Sequence, residues 1–300
     1  MRACAPGALA VTRRGWWLFG ALGIIWGIPY LLIKIAVADI PPALLVFLRT
    51  TLGALLLFPL AFGRGELRTL LPHWRPIVAF TVAEMAVPWL LLSDAERHLS
   101  SALTGLLIAA VPLLGAILAA LTGHERLGGR RLAGLLVGFL GVVVLLGLDT
   151  SADSALAVVQ MAVVVLGYAV GALVISRWLT GLPSLAVVTS SLALCALGYA
   201  PFALTRLPAQ LPPARALVAV ALLGVVCTAL AFVVFFRLIA EVGPVRATVV
   251  TYVNPAVAVA LGVALLGEPV TAGMAIGFAF ILLGSWLATR AGAAPARRTG

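Results

Sequence analysis

One set of residues returns at mid-length, and that return constrains the fold more than any other feature. Pro112, Glu125, Gly134 and Gly141 come back as Pro255, Glu268, Gly277 and Gly284, each 143 positions later. Pro41 and Pro59 come back as Pro183 and Pro201, 142 positions later. These pairs are embedded in long apolar stretches, so one hydrophobic bundle is written twice into the chain.

The solvent of that bundle follows from composition. The 300 residues are 63% hydrophobic and only 10% charged, against about 25% charged in a soluble domain. Too little polar surface exists to cover a water-soluble fold, so lipid must cover it. A membrane helix needs about 20 mostly apolar residues. Ten segments qualify, near 16–36, 42–62, 76–94, 98–121, 129–148, 155–176, 184–204, 215–237, 244–266 and 271–289. Five precede the linker around Asp149–Ser154 and five follow it. Because five is odd, the second copy enters the membrane upside down. The expected fold is an all-α integral membrane protein of ten transmembrane helices in two inverted five-helix repeats. Its domains are a tail at 1–15, a first repeat at 16–149, a second at 150–290 and a tail at 291–300. Arg13-Arg14, an apolar stretch and Ala36-Val37-Ala38 also resemble a signal peptide. Cleavage there would leave nine spans and break the symmetry, so the segment reads as a retained span.

Basic residues set the orientation. With the N-terminus in the cytoplasm, fifteen fall on inner segments and four outside, namely Lys34, Arg97, Arg206 and Arg215, with Arg49 inside the membrane. Both termini are therefore expected in the cytoplasm of an inner (plasma) membrane protein, their basic tails against anionic lipid. Trp16, Trp17, Trp74, Trp178 and Trp286 sit near expected cytoplasmic ends as an aromatic belt; Trp26 and Trp89 stand apart. The net charge of +10 is dispersed between apolar segments and not gathered on one face, which argues against nucleic acid. Cys4, Cys195 and Cys227 form no disulfide framework or CxxC site, and His73, His98 and His124 have no metal-ligand spacing. No metal or cofactor is expected.

Trp26-Gly27, Lys34, Pro41 and Arg49 in the opening spans, with the doubled Pro–Glu–Gly–Gly series, resemble the EamA-type branch of the drug/metabolite transporter superfamily. The resemblance spans about 16–290. It implies a ten-helix inner-membrane carrier that moves small metabolites, amino acids, sugars or drugs, many of them outward. The second copy departs from the first, with Tyr168 at the place of Trp26, Ser176 at that of Lys34 and Ser191 at that of Arg49. Those polar signatures are used once.

Glu84 is the most telling candidate. It lies mid-span, where an ionised carboxylate costs on the order of 2.5–3.5 kcal/mol, and its counterpart in the second repeat is about Cys227. It reads as a substrate-binding or proton-coupling acid lining a central cavity, with a structural ion pair or hydrogen bond between helices as the other reading. Arg49 lies within reach at a similar depth and reads as a gating or ion-pair residue. Lys34, near the outer end of its span, is either an interfacial anchor that snorkels or an outer gate. Pro112 and Pro255 remove backbone hydrogen bonds inside apolar helices and permit kinks at corresponding places. Tyr252 and Asn254 supply polar groups beside Pro255 for a cargo, and Trp26 and Tyr168 supply aromatic walls. Glu125 and Glu268 read as caps near helix N-termini.

The resulting expectation is a secondary transporter working by alternating access, an exporter of small or drug-like molecules with proton coupling through Glu84. Exchange and facilitated diffusion stay open, as do the cargo and direction. No P-loop is present, so ATP is not the direct energy source. No HExxH or GxSxG arrangement supports an enzyme. A channel or a non-transporting membrane partner subunit is the alternative. Glycines four apart at Gly23/Gly27, Gly134/Gly138, Gly167/Gly171 and Gly273/Gly277 mark close helix contacts. These serve the bundle as readily as a homodimer, and the oligomeric state is left undecided.

Overall fold

The structure, a computed structural model, describes residues 12–122, 128–147, 152–243 and 247–289. Glu125, the terminal tails and most of the central linker lie outside the described residues. Within them the chain is helical, with no strand. Among the described residues, nine helices are long and apolar enough to cross a membrane, from Arg13–Ala36 to Val249–Leu266, and a shorter apolar helix, Ala272–Ala288, follows. The chain is an all-α membrane protein.

Several spans are interrupted, and most of the interruptions coincide with proline. The first consists of α1 (Arg13–Gly27) and α2 (Pro29–Ala36). Pro29 opens the second piece because it has no N–H for the preceding turn. After α3 (Pro42–Gly63) the third span runs from Glu66 to Ala95. It starts earlier than the sequence suggests because a 3₁₀ turn at Glu66–His73 joins directly onto α4 (Trp74–Phe80). A π-helical turn, Thr81–Ala86, then separates α4 from α5 (Val87–Ala95). Pro88 cannot donate to the carbonyl of Glu84 four residues back, which helps to hold the wider turn there.

Pro112 and Pro255 occupy comparable breaks. The fourth span divides into α6 (Ser101–Ile108) and α7 (Val111–Leu121), and Pro112 stands in the first turn of α7. Each proline therefore starts a half-helix, the position where its missing N–H does least harm. α8 covers Gly129–Leu146, α9 Ala152–Val174 and α10 Ser184–Leu204. A π-helical turn, Ile175–Leu179, ends α9, and the eighth span joins α11 (Ala214–Gly224) to α12 (Ala231–Val242) through another, Val225–Leu230. A 3₁₀ turn, Thr248–Tyr252, leads into α13 (Asn254–Leu266), where Pro255 stands in the first turn. Gly267, with a φ of 66°, ends α13 in the left-handed conformation that glycine adopts without strain. α14 is Ala272–Thr289.

Glycine decides how closely the helices approach. α8 packs along α14, with Gly134 against Gly284 and Gly141 against Gly277, so the two run antiparallel. α3 packs on α10, α6 on α13, α2 on α11 and α5 on α9. The main core gathers Ile33, Leu45, Leu106, Met161 and Leu223, and a second cluster holds Met85, Trp89 and Leu192. Leu55, Phe58, Phe62, Leu136, Leu140 and Leu197 are exposed on the outside. Large apolar side chains outward and glycine inward is the arrangement expected where lipid replaces water.

Candidate functional site

The π-helical turn of the third span positions Glu84. Its side chain is half-buried and lies directly over Gly171 of α9, against the glycine's missing Cβ. Gly167, one turn earlier, lets the carbonyl of Ala83 approach α9 as closely. The Gly167/Gly171 pair is thus a bed for this turn. Tyr199 of α10 ties the turn from the other side, its hydroxyl donating to the Ala86 carbonyl at 2.9 Å. No hydrogen bond or ion pair to the Glu84 carboxylate is found among the described residues.

Arg49 is buried in α3, and its guanidinium does not ion-pair with Glu84. Its Cζ lies 3.8 Å from the ring centroid of Trp89, and its Nε donates to Thr228 Oγ1 at 2.9 Å. Thr228 sits on the π-helical turn of the eighth span and donates in turn to the Leu223 carbonyl, five residues back, at 2.8 Å. Gly53 admits the Thr228 methyl, which brings α3 close enough for the bond. A buried guanidinium stacked on an indole is a desolvated cation–π contact, worth about 2 kcal/mol or more. Tyr168 lies in electrostatic range of both Glu84 and Arg49 and beside Trp89.

The remaining candidates are distributed around this centre. Trp26 packs on α12, against Phe235 at 4.9 Å and Phe232 at 6.2 Å between ring centroids. It belongs to a different apolar cluster from Tyr168, so the two do not share one wall. Asn254 is buried with its Oδ1 lacking a hydrogen-bond partner, while its carbonyl lies against Gly27. Tyr252, half-buried, ends the 3₁₀ turn just before it. Lys34 turns into the protein, its Nζ donating to the carbonyls of Glu96 at 2.6 Å and Leu99 at 2.8 Å. These are the free acceptors at the end of α5, where a cation is favoured. Glu268 caps the N-terminus of α6 and not that of the helix following it. Its carboxylate accepts from Ser101 N at 2.7 Å, Ala102 N at 2.9 Å and Ser101 Oγ at 3.0 Å.

A groove of about 970 Å³ runs along the third span beside α10. Its mouth carries Asp39, Asp94, Arg97 and Arg206, and its apolar depth reaches Val78, Thr81 and Cys195. Thr81 and Ala86 face this groove from the same turn whose Glu84 faces α9, and Glu84 does not line it.

Trp89 and Thr228 were not singled out by sequence reasoning as partners of Arg49. One signal was present, since Trp89 stands apart from the interfacial belt. For Thr228 the only hint is adjacency to Cys227, the counterpart of Glu84.

The pattern of the EamA-like transporter family matches residues 13–147 and again 155–290. An inner membrane transporter of Escherichia coli K12, YedA, itself uncharacterized, is 28% identical over 264 residues, covering 84% of this chain and 83% of YedA. An uncharacterized transporter of Archaeoglobus fulgidus is 23% identical over 277 residues, with 91% and 98% covered. The Bacillus subtilis transporter YvbV, also uncharacterized, is 24% identical over 280 residues, with 88% of each covered. A solved crystal structure of a protein superposes with a TM-score of 0.67 at 24% identity, over 93% of this chain and 98% of that one, and shares its fold. A chain of apolar, interrupted helices whose two halves each carry that pattern belongs to the EamA-like transporter family, and is a membrane transporter of that type.

Proposed function

We propose that this transporter is a secondary carrier of small metabolites or drug-like compounds in the inner membrane, exporting them by alternating access between two inverted five-helix repeats. Proton binding at Glu84 couples the cycle. The observation that carries this reading is Glu84 itself, a carboxyl at membrane depth, resting on Gly171 with no ion-pair partner among the described residues. A group so placed serves as an acid that exchanges a proton or receives a cationic cargo.

The repeat reading is supported by helix partnership. α8 with α14 and α3 with α10 are each a helix beside its own counterpart, α6 packs on α13, the counterpart of α7, and the π-helical turns Thr81–Ala86 and Val225–Leu230 lie about 144 positions apart. The interruptions at Pro112 and Pro255 open corresponding half-helices, with Tyr252 and Asn254 beside the second, which suits a substrate site between the halves. Arg49, held by Trp89 and Thr228, acts as a gating tie between α3 and the eighth span. Lys34 acts as a brace at the outer end. Trp26 and Tyr168 serve as equivalent aromatic contacts, one for each repeat. The family match at 13–147 and 155–290 supports the same division of the chain.

The test is transport in proteoliposomes carrying a pH-sensitive dye, with an imposed pH gradient and a mixture of candidate metabolites outside. Wild-type protein should move protons only when a cargo is present. Glu84→Gln should lose that proton movement while retaining expression and fold. Normal proton-driven transport by Glu84→Gln would overturn the coupling assignment.

A further inference from the structure

A second buried acid lies at the end of the third span, outside the Glu84 cluster. Glu96 follows α5 and is fully buried, yet neither carboxylate oxygen has a hydrogen-bond partner. Lys34 reaches the same loop but bonds to the main-chain carbonyl of Glu96, and no ion pair within 4.0 Å joins it to the carboxylate. From the other half of the chain, Glu268 grips the N-terminus of α6 through Ser101 and Ala102. The groups acting on Glu96 are Lys34 from α2, Glu268 from the turn after α13, and Arg49 and Tyr30.

An acid buried without partners resists ionisation. Burial pushes the Glu96 carboxyl well above the usual carboxylate range; Lys34 opposes this, Glu268 reinforces it and Arg49 opposes it. If Glu96 ionised in place, its buried carboxylate would stand in electrostatic range of the Glu268 carboxylate, while the Lys34 ammonium is held by main-chain carbonyls.

We propose that Glu96 is a proton-binding site whose occupancy holds this end of the bundle closed, with the grip of Glu268 on Ser101 and Ala102 as the latch. The carboxylic acid is stable in the closed form. When the latch parts, water solvates Glu96 and takes its proton, leaving a carboxylate that must be reprotonated before the end can close. The proposal deepens the transport reading by adding a proton station distinct from Glu84, and its test requires no cargo.

The closed form holds the proton more tightly than the open one. Its advantage is therefore complete below the ordinary carboxylate range and declines as the pH rises towards the raised value. Hydrogen exchange of the Ser101 and Ala102 amides in lipid nanodiscs reads the latch directly, after correction for the intrinsic pH dependence of exchange. Between about pH 5 and about pH 9, wild-type protection should fall, by at most about tenfold per pH unit for a single proton. Glu96→Gln, which mimics the protonated acid, should stay protected throughout. Glu96→Leu should also give a flat profile and guards against poor folding of the first variant. A wild-type profile that is flat, or a Glu96→Gln profile that keeps the wild-type slope, overturns the proposal. Loss of transport in Glu84→Gln would not alter this result, and a failed latch would leave the Glu84 assignment standing.

Discussion

Gly141 meets Gly277 backbone to backbone. A methyl built on Gly141 would lie 2.7 Å from the carbonyl oxygen of Gly277, and a methyl on Gly277 would lie 2.7 Å from that of Gly141. Gly134 and Gly284 stand in the same relation, at 2.8 and 2.6 Å. In the repeat numbering, Gly134 answers to Gly277 and Gly141 to Gly284. Each glycine therefore faces the counterpart of the other, the exchange expected of the inverted repeats proposed above.

Overpacking this seam should be costly. Gly141→Ala or Gly277→Ala places a methyl against main chain that has no rotamer to yield, at about 1–3 kcal/mol. Gly115→Ala, with open space around it, should be neutral or stabilising by up to about 1 kcal/mol through helix propensity. Thermal unfolding in detergent, followed by circular dichroism, separates the two outcomes.

Gly171→Ala probes the bed under Glu84. The new methyl would occupy the space of the Glu84 carboxylate and must displace it. The expected loss of transport corresponds to about 1–3 kcal/mol, or roughly 5- to 150-fold, with expression retained. Cargo-dependent proton movement in proteoliposomes checks it, and full activity would mean that the position of this carboxylate is unimportant.

Arg49→Lys should destabilise the bundle although the charge is kept. An ammonium cannot stack on Trp89 and donate to Thr228 with the geometry of a planar guanidinium. The loss should be about 1–3 kcal/mol from the cation–π contact and the charged hydrogen bond. Arg49→Lys and Thr228→Val combined should fall short of additivity by at least about 0.5 kcal/mol. Unfolding midpoints of the two single variants and the double variant measure that shortfall.

The orientation has its own check. Arg75 with Trp74, Arg130 with Trp286 and Arg177 with Trp178 all form contacts at the expected cytoplasmic side. A cysteine introduced at Ser184 should resist membrane-impermeant maleimide in intact cells and react after lysis. One at Gln210 should react in both.

The membrane class and the family were legible in the sequence because hydropathy and the doubled glycines need no tertiary information. The breaks at Pro112 and Pro255 were also legible, since a missing N–H acts locally. The proline break after Ile28 was passed over, hidden in an apolar stretch long enough to span. The π-helical turns left no local signature, because an extra residue per turn is stabilised by contacts such as Tyr199 with Ala86. Partnerships across the halves, Arg49 with Thr228 or Glu268 with Ser101, were illegible for the same reason. Sequence spacing records depth in the membrane but not which face of a helix meets which neighbour. Glu268 reads as a cap from its position alone, whereas the helix it caps belongs to the other half of the chain.

The glycine seam between α8 and α14 has a mechanical consequence. Two helices touching through their main chains leave no side-chain layer to shear, so this pair behaves as a fixed axle. Any rocking of the remaining helices has to be absorbed at the places where their hydrogen-bond ladders are already cut: at Pro29, around the three widened turns, and ahead of Pro112 and Pro255.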